Sequence, residues 1–280
     1  MLGQDLVAHL ATRHEVIPTR RHDVDITDSA SVTRALDQAR PESVIHAAAF
    51  TAVDECEARA ELAFRVNADG TRNLALACKR LRIPMLYIST DYVFDGKKPE
   101  PYVEDDEPNP LNVYGRSKLQ GEINVMEVAE RFSIVRVCWL FGPLGRNFVR
   151  SILEQGRSGR PLRVVSDQIG APTYTVDLAS KLEEMVIGAS SGIYHVTNQG
   201  YCSWFEFAKE ILRQADLERV PLSPIPASAL ERPARRPKNS RLANVRLQES
   251  GLGLLPSWQD VLRRYFMRQA VSAIADGSQA

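Results

Sequence analysis

The sequence predicts an α/β protein on a doubly wound parallel sheet, followed by a smaller mixed α/β unit. Three observations carry that prediction. Short apolar runs such as Val44–Ala48, Met85–Ser89 and Ile134–Leu140 have the pattern of strands buried on both faces. Amphipathic stretches long enough for a crossover helix separate them, as in right-handed βαβ units. Beyond Phe141 the runs shorten and Gly/Pro-rich turns crowd together.

Taken in order, Leu6, Val7 and Leu10 share one face of a helix that ends near Arg13. His14–Pro18 reads as a short strand, Asp23–Asp28 as a turn and Ser29–Ala39 as a helix. After the Val44–Ala48 strand, helical periodicity runs from about Ala58 to Leu81. Met85–Ser89 is the next buried strand, Val113–Arg131 a helix and Ile134–Leu140 a strand. In the second half, short strands (Leu162–Val165, Gly192–Val196) alternate with helices (Phe148–Gln155, Val176–Ile187, Trp204–Gln214). Val220–Asn239, dense in proline and arginine, predicts irregular chain. A last helix spans Trp258–Met267, and 271–280 reads as a disordered tail.

The totals narrow the function classes. With 280 residues, 44% of them hydrophobic, the chain can bury a sizeable core. Its 35 basic and 35 acidic residues leave no dominant field for nucleic acid or a membrane surface, and neither partner is expected. Cys56, Cys78, Cys138 and Cys202 are widely spaced without a CxxC pair, the usage of a reduced, cytoplasmic protein. No apolar run approaches the ~20 residues of a membrane span. The five histidines show no ligand spacing, so no transition metal is expected.

Tyr114 and Lys118 form Tyr-x-x-x-Lys on a predicted helix, which puts both side chains on one face, one turn apart. An ammonium beside a phenol favours phenolate, so the lysine is expected to lower the tyrosine pKa and tune it for proton transfer to a ketone oxygen. At this spacing the pair alone is also compatible with an ordinary solvated face. Ser89-Thr90-Asp91 closes a buried strand at its carboxyl end, where ligands of open α/β sheets gather. Thr90 could hydrogen-bond the same oxygen; without the tyrosine it would read as a cap.

At this point the sequence resembles a known family. Ser89-Thr90-Asp91-Tyr92-Val93-Phe94-Asp95-Gly96, with Pro110-Leu111-Asn112-Val113-Tyr114-Gly115-Arg116-Ser117-Lys118-Leu119-Gln120-Gly121-Glu122, is similar to the extended short-chain dehydrogenase/reductases. More narrowly, it resembles the dTDP-4-dehydrorhamnose reductase family. His46–Asp54, Asp167–Thr173 and Ala234–Leu242 match that family in order and spacing. The resemblance implies a Rossmann-like fold and NAD(P)H-dependent reduction of the 4-keto group of dTDP-4-dehydro-L-rhamnose to dTDP-L-rhamnose. It makes Thr90, Tyr114 and Lys118 the catalytic set, with Lys118 also on the nicotinamide ribose. Ala47, Ala48 and Ala49 would lie against the cofactor, with Asp25-Ile26 beside adenine. Val53, Asp54 and Trp139 would border the sugar; packing (Val53, the alanines) and helix capping (Asp54) remain the plainer alternatives. Residues 1–140 with about 174–197 would bind the dinucleotide, and about 141–173 with 198–270 the substrate.

A nucleotide-sugar needs positive charge opposite its diphosphate. Arg232, Arg235, Arg236, Lys238 and Arg241 form the densest basic cluster, and the resemblance favours substrate proximity over a solvated loop, chiefly for Arg235 and Arg236. Asn147, Gln168 and Thr173 are further polar candidates. Arg20 and Arg21 stand where an acid would take a ribose 2′-hydroxyl, which tilts the cofactor toward NADPH with NADH as alternative; plain surface charge explains them equally well. A divalent cation stays unassigned, and a homodimer stays open.

The chain begins Met1-Leu2-Gly3, and Gly3 fits the last glycine of the Gly-rich turn that should follow a first buried strand. On that alignment roughly ten residues, including the central strand, are absent from the sequence as written. The reading favours a longer native protein over a degraded copy, and expects weak or no cofactor binding without that cradle. Two alternatives stay open: reduction of another nucleotide-linked keto-sugar, or a non-catalytic regulatory subunit on the same fold.

Overall fold

The computed structural model describes residues 1–188 and 190–275, with side chains through Gln269. Its main sheet is parallel, in the order Val44–His46, Met85–Thr90, Phe132–Val137, Gly192–His195. Met85–Thr90 is buried along its whole length, because it is paired on both edges and covered on both faces. The period-two alternation splits its side chains cleanly. Met85 and Tyr87 join Val32, Leu74, Cys78, Val125 and Ile134 beneath the helices Ser29–Ala39, Gly70–Leu81 and Val113–Val128. Leu86 and Ile88 join Leu2, Leu6, Val135, Leu178, Leu182 and Met185 beneath Leu2–Leu10 and Thr175–Ile187.

Several expectations change here. His14–Pro18 is not a strand; among the described residues it has no partner, and strand geometry without a ladder leaves its backbone groups to water. The first helix stops at Leu10, short of Arg13. The continuous helix expected over Ala58–Leu81 is broken into Val53–Ala58, Ala60–Phe64, a π-helical turn at Arg65–Asp69 and Gly70–Leu81. Inside the π turn, Asn67 is buried and spends its amide on the backbone of Phe50, accepting from its N–H at 2.7 Å and donating to its carbonyl at 3.1 Å. Such turns concentrate at functional sites.

Strand Ile134–Leu140 is in fact two: Phe132–Val137 in the main sheet, then Leu140–Phe141 paired with Thr173–Tyr174. A second core, with Phe141, Tyr174, Phe207, Trp258 and Tyr265, lies under the helices Phe148–Arg157, Trp204–Gln214 and Trp258–Ala275. Ser203 and Glu206 close a reciprocal capping box at the start of the second of these. The Val220–Asn239 stretch is less irregular than expected: Leu222–Ile225 pairs in parallel with Leu162–Val165. The last helix continues to Ala275, through residues 271–275 expected as tail; 276–280 lie outside the described residues.

One backbone path positions the site. Lys238 and Ser240 bond to Ile169 on one side, and Arg241 and Ala243 to Tyr102 on the other. Gly96 makes room for it: φ is +72° there, and a Cβ would stand 2.7 Å from the Lys238 amide nitrogen. The arginine-rich segment is thereby carried back to the carboxyl ends of the main strands.

Candidate active site

Thr90 is the last residue of the central strand. Its hydroxyl donates to Asp91 Oδ1 at 3.0 Å and accepts from the Tyr92 amide. Asn112 caps the Val113–Val128 helix by accepting from the Gly115 amide at 2.7 Å, and donates to the Arg235 carbonyl. That cap, two residues before Tyr114, fixes the helix start at Val113. Tyr114 is half-buried and meets Tyr92 edge-on at 5.9 Å. Burial raises its phenol pKa, and a hydrogen bond with Thr90 pulls it back in part.

Lys118 is buried one turn on, with Nζ donating to the Ile88 carbonyl at 2.7 Å and lying 4.0 Å from the Tyr87 ring centroid. Burial pushes its pKa down to about 7, against the pull of Glu122. The expectation that Lys118 depresses the Tyr114 phenol is therefore corrected. In this structure the amine is turned to the strand backbone, and the phenol answers to burial and to Thr90. Tyr114 is held protonated at neutral pH, which suits a proton donor.

At the mouth, Arg236 grips Asp54 with both nitrogens at 2.7 Å, and the Ala234 amide adds a third bond to the same carboxylate. These bonds, Arg236 first, hold the Asp54 pKa below the usual carboxylate range. Asp54 is thus no helix cap, since it makes no capping bond in Val53–Ala58. Val53, half-buried, opens that helix. Arg235 points to solvent and contributes its carbonyl to Asn112. Gln168 is buried beside the Ile169–Lys238 contact.

Trp139 sits at φ +44°, a sparsely populated region for a bulky residue, with its indole stacked 3.5 Å from that of Trp204. Gly170 lies against the same ring; a Cβ there would stand 2.4 Å from it. Asn147 is committed elsewhere: it caps Phe148–Arg157 and donates to the Gly142 carbonyl, so its amide is not free for a ligand.

At the sheet edge, Ala47, Ala48 and Ala49 follow Val44–His46, with Ala48 exposed. Gly3 lies in the first helix with open space around it. Arg20 and Arg21 are exposed, and neither makes an ion pair among the described residues. Asp25 holds the Thr27 amide and hydroxyl at 2.9 and 2.8 Å, while Ile26 packs against Gly70. The small residues at the strand end, the Lys118 amine and the Tyr114 phenol fit the nicotinamide end of a cofactor.

Sequence reasoning missed four participants. Asp91 and Tyr92 lay inside the quoted motif and were passed over. Asp91 is fully buried, with its carboxyl pushed up to about 6 by burial although Ser240, Cys138 and Thr90 bond to it. Arg136 was findable: an arginine between two valines of a buried strand demands a carboxylate, here Glu122. Trp204 carried no local signal.

Comparison with known proteins fits this geometry. The family described as RmlD substrate binding domain matches residues 1–271. A dTDP-4-dehydrorhamnose reductase of Streptomyces griseus is 40% identical over 273 residues, 95% of this chain and 90% of that protein. A dTDP-4-keto-6-deoxy-D-glucose reductase of Streptomyces niveus is 37% identical over 268 residues, 95% and 93% of the two chains. Among solved structures, dTDP-4-dehydrorhamnose reductase from Bacillus anthracis str. Ames in complex with NADP superposes with a TM-score of 0.93 at 39% identity, covering 95% of each chain.

Proposed function

The chain belongs to the RmlD substrate binding domain family, and from that premise we propose that it reduces the 4-keto group of dTDP-4-dehydro-L-rhamnose to dTDP-L-rhamnose with NADPH. The observation that carries the reading is the convergence of Thr90, Tyr114 and Lys118 at the carboxyl end of the central strand. NADPH, when bound, supplies the hydride to the carbonyl carbon. Tyr114 gives its phenolic proton to the ketone oxygen, so hydride and proton together make the alcohol. Thr90 orients that oxygen from the strand end, and Lys118, one helical turn from Tyr114, would hold the nicotinamide ribose.

Lys118, Tyr114 and Ala47–Ala49 would hold the nicotinamide half; Gly3, Arg20, Arg21, Asp25 and Ile26 would hold the rest. Val53, Asp54 and the Trp139 indole would frame the sugar, with Gln168, Arg235 and Arg236 toward the diphosphate; Asn147 would act through its place in the turn. The proposal also divides the chain: residues 1–140 with about 174–197 take the cofactor, about 141–173 with 198–270 the substrate. It places the enzyme in the cytoplasm without nucleic-acid partners; a homodimer stays open, and sedimentation of the purified protein tests it.

The decisive assay is NADPH oxidation with dTDP-4-dehydro-L-rhamnose, the product identified by NMR. No turnover by protein that binds NADPH overturns the reading. The similarity to a dTDP-4-keto-6-deoxy-D-glucose reductase favours one second reading, in which the unepimerised keto-sugar is the better substrate. Comparing kcat/KM for the two sugars decides between them.

A further inference from the structure

The inner face of the Val113–Val128 helix carries Tyr114, Lys118 and then Glu122, each one turn beyond the last. Glu122 is fully buried, and its carboxylate reaches both neighbouring strands. It accepts from the hydroxyl of Ser89, the residue before Thr90, and takes Arg136 of Phe132–Val137 through Nε at 3.0 Å and Nη2 at 2.7 Å. Arg136 is held in turn by the Glu104 carbonyl and lies over the Phe94 ring at 5.1 Å. A buried, doubly hydrogen-bonded carboxylate of this kind cannot slide without leaving charges unpaired in the core.

We propose that Glu122 is a positioning residue for the reduction: clamped between Ser89 and Arg136, it sets the helix face bearing Tyr114 and Lys118 against the strand end bearing Thr90. This rests on the catalytic reading above. Glu122 also supplies the negative charge nearest Lys118 along the helix and opposes the lowering that burial imposes on the lysine. The other groups facing this cluster are Tyr87 and Ser89 from the central strand, His46 from the edge strand, Arg136 from the third, Tyr114 on the helix itself, and Glu104 and His195 behind Arg136. His46 and His195 are buried neutral, each with its pKa pushed down to about 3 by burial first. Glu122 is thus the carboxylate that offsets part of the effect of burial on Lys118.

The test uses the whole chain as Glu122→Gln and as the double variant Glu122→Leu/Arg136→Met. Replacing a buried pair by apolar residues of similar volume is commonly neutral or stabilising, so the double variant keeps the fold testable. Expected are a roughly tenfold or greater fall in kcat with KM for the keto-sugar little changed, and an alkaline limb of the pH–rate profile moved to lower pH in both variants. Wild-type kcat and an unmoved limb in a folded double variant overturn the proposal, as does a loss confined to KM. The Lys118 ammonium is also followed directly by NMR titration, assigned by its disappearance in Lys118→Met. An inert wild type sinks the catalytic reading alone; a Lys118 titration moved down in Glu122→Gln still supports the clamp, and an unmoved one removes it.

Discussion

Two arginine–carboxylate pairs hold the site, one at its floor and one at its mouth, with nearly the same contact distances. Arg136 and Glu122 meet at 2.7 Å with side chains 2% and 0% exposed; Arg236 and Asp54 meet at 2.7 Å with 12% and 42% exposed. The difference is access to water. Removing one partner of a buried pair strands the other and costs about 3–5 kcal/mol, whereas an exposed pair is worth about 0–1 kcal/mol. The floor pair is therefore fixed geometry. The mouth pair is easier to exchange, because water already reaches the Asp54 carboxylate.

The sharpest way to break this contrast is at the proton itself. Tyr114→Phe keeps the ring packing and removes the proton, so kcat should fall about 10²–10⁴-fold with KM nearly unmoved; steady-state NADPH oxidation measures both. A fall confined to KM would place Tyr114 with the mouth and end its assignment as donor. Next in size, Arg236→Leu should raise KM for the nucleotide-sugar about tenfold or more and move kcat only a few-fold. Collapse of kcat instead would mean that the mouth pair belongs to fixed geometry too.

Asp91 sharpens the contrast through pH. Its folded pKa stands at about 6 against an ordinary 3.8, so the folded state binds a proton that the unfolded chain has released. Its stabilising contribution is full below 3.8 and is lost as pH rises through about 6. Denaturant unfolding of wild type and Asp91→Asn across that window should show wild type losing roughly 2–3 kcal/mol relative to the variant as pH rises. A constant difference would mean that Asp91 is as solvated as the mouth carboxylate. The smallest effect belongs to the exposed loop at Arg20 and Arg21. Changing Arg20 and Arg21 together to serine should weaken NADPH binding several-fold, up to about tenfold, and leave NADH unchanged in fluorescence titrations.

How much of this was legible follows the same division. The central strand, the helix and the Tyr114–Lys118 spacing were readable because burial on both faces and helical periodicity are local signals. The Asp54–Arg236 pair was not, since it joins residues 182 positions apart through a chain path fixed by Ile169 and Tyr102. Lys118 was read as a neighbour of the phenol, yet its amine found the Ile88 carbonyl, a partner that spacing along a helix cannot announce. The strand expected at His14–Pro18 failed for the complementary reason: its apolar residues favour extension, but a strand exists only with a ladder. The helix break before Gly70 was hidden because Asn67 looks like any polar residue until its amide meets Phe50.

The stacked Trp139 and Trp204 have an optical consequence. Only three tryptophans occur in the chain, and two of them lie with ring planes 11° apart, contributed by segments on either side of the proposed sugar site. Indoles that close share their excitation, so the pair acts as one chromophore whose circular-dichroism and emission signals depend on the angle between the rings. Gly170 lies against the same ring, with room for no side chain, so the Trp139 indole is held closely where it is. Any ligand that tilts the Trp139 ring would therefore register in the circular-dichroism signal without a label.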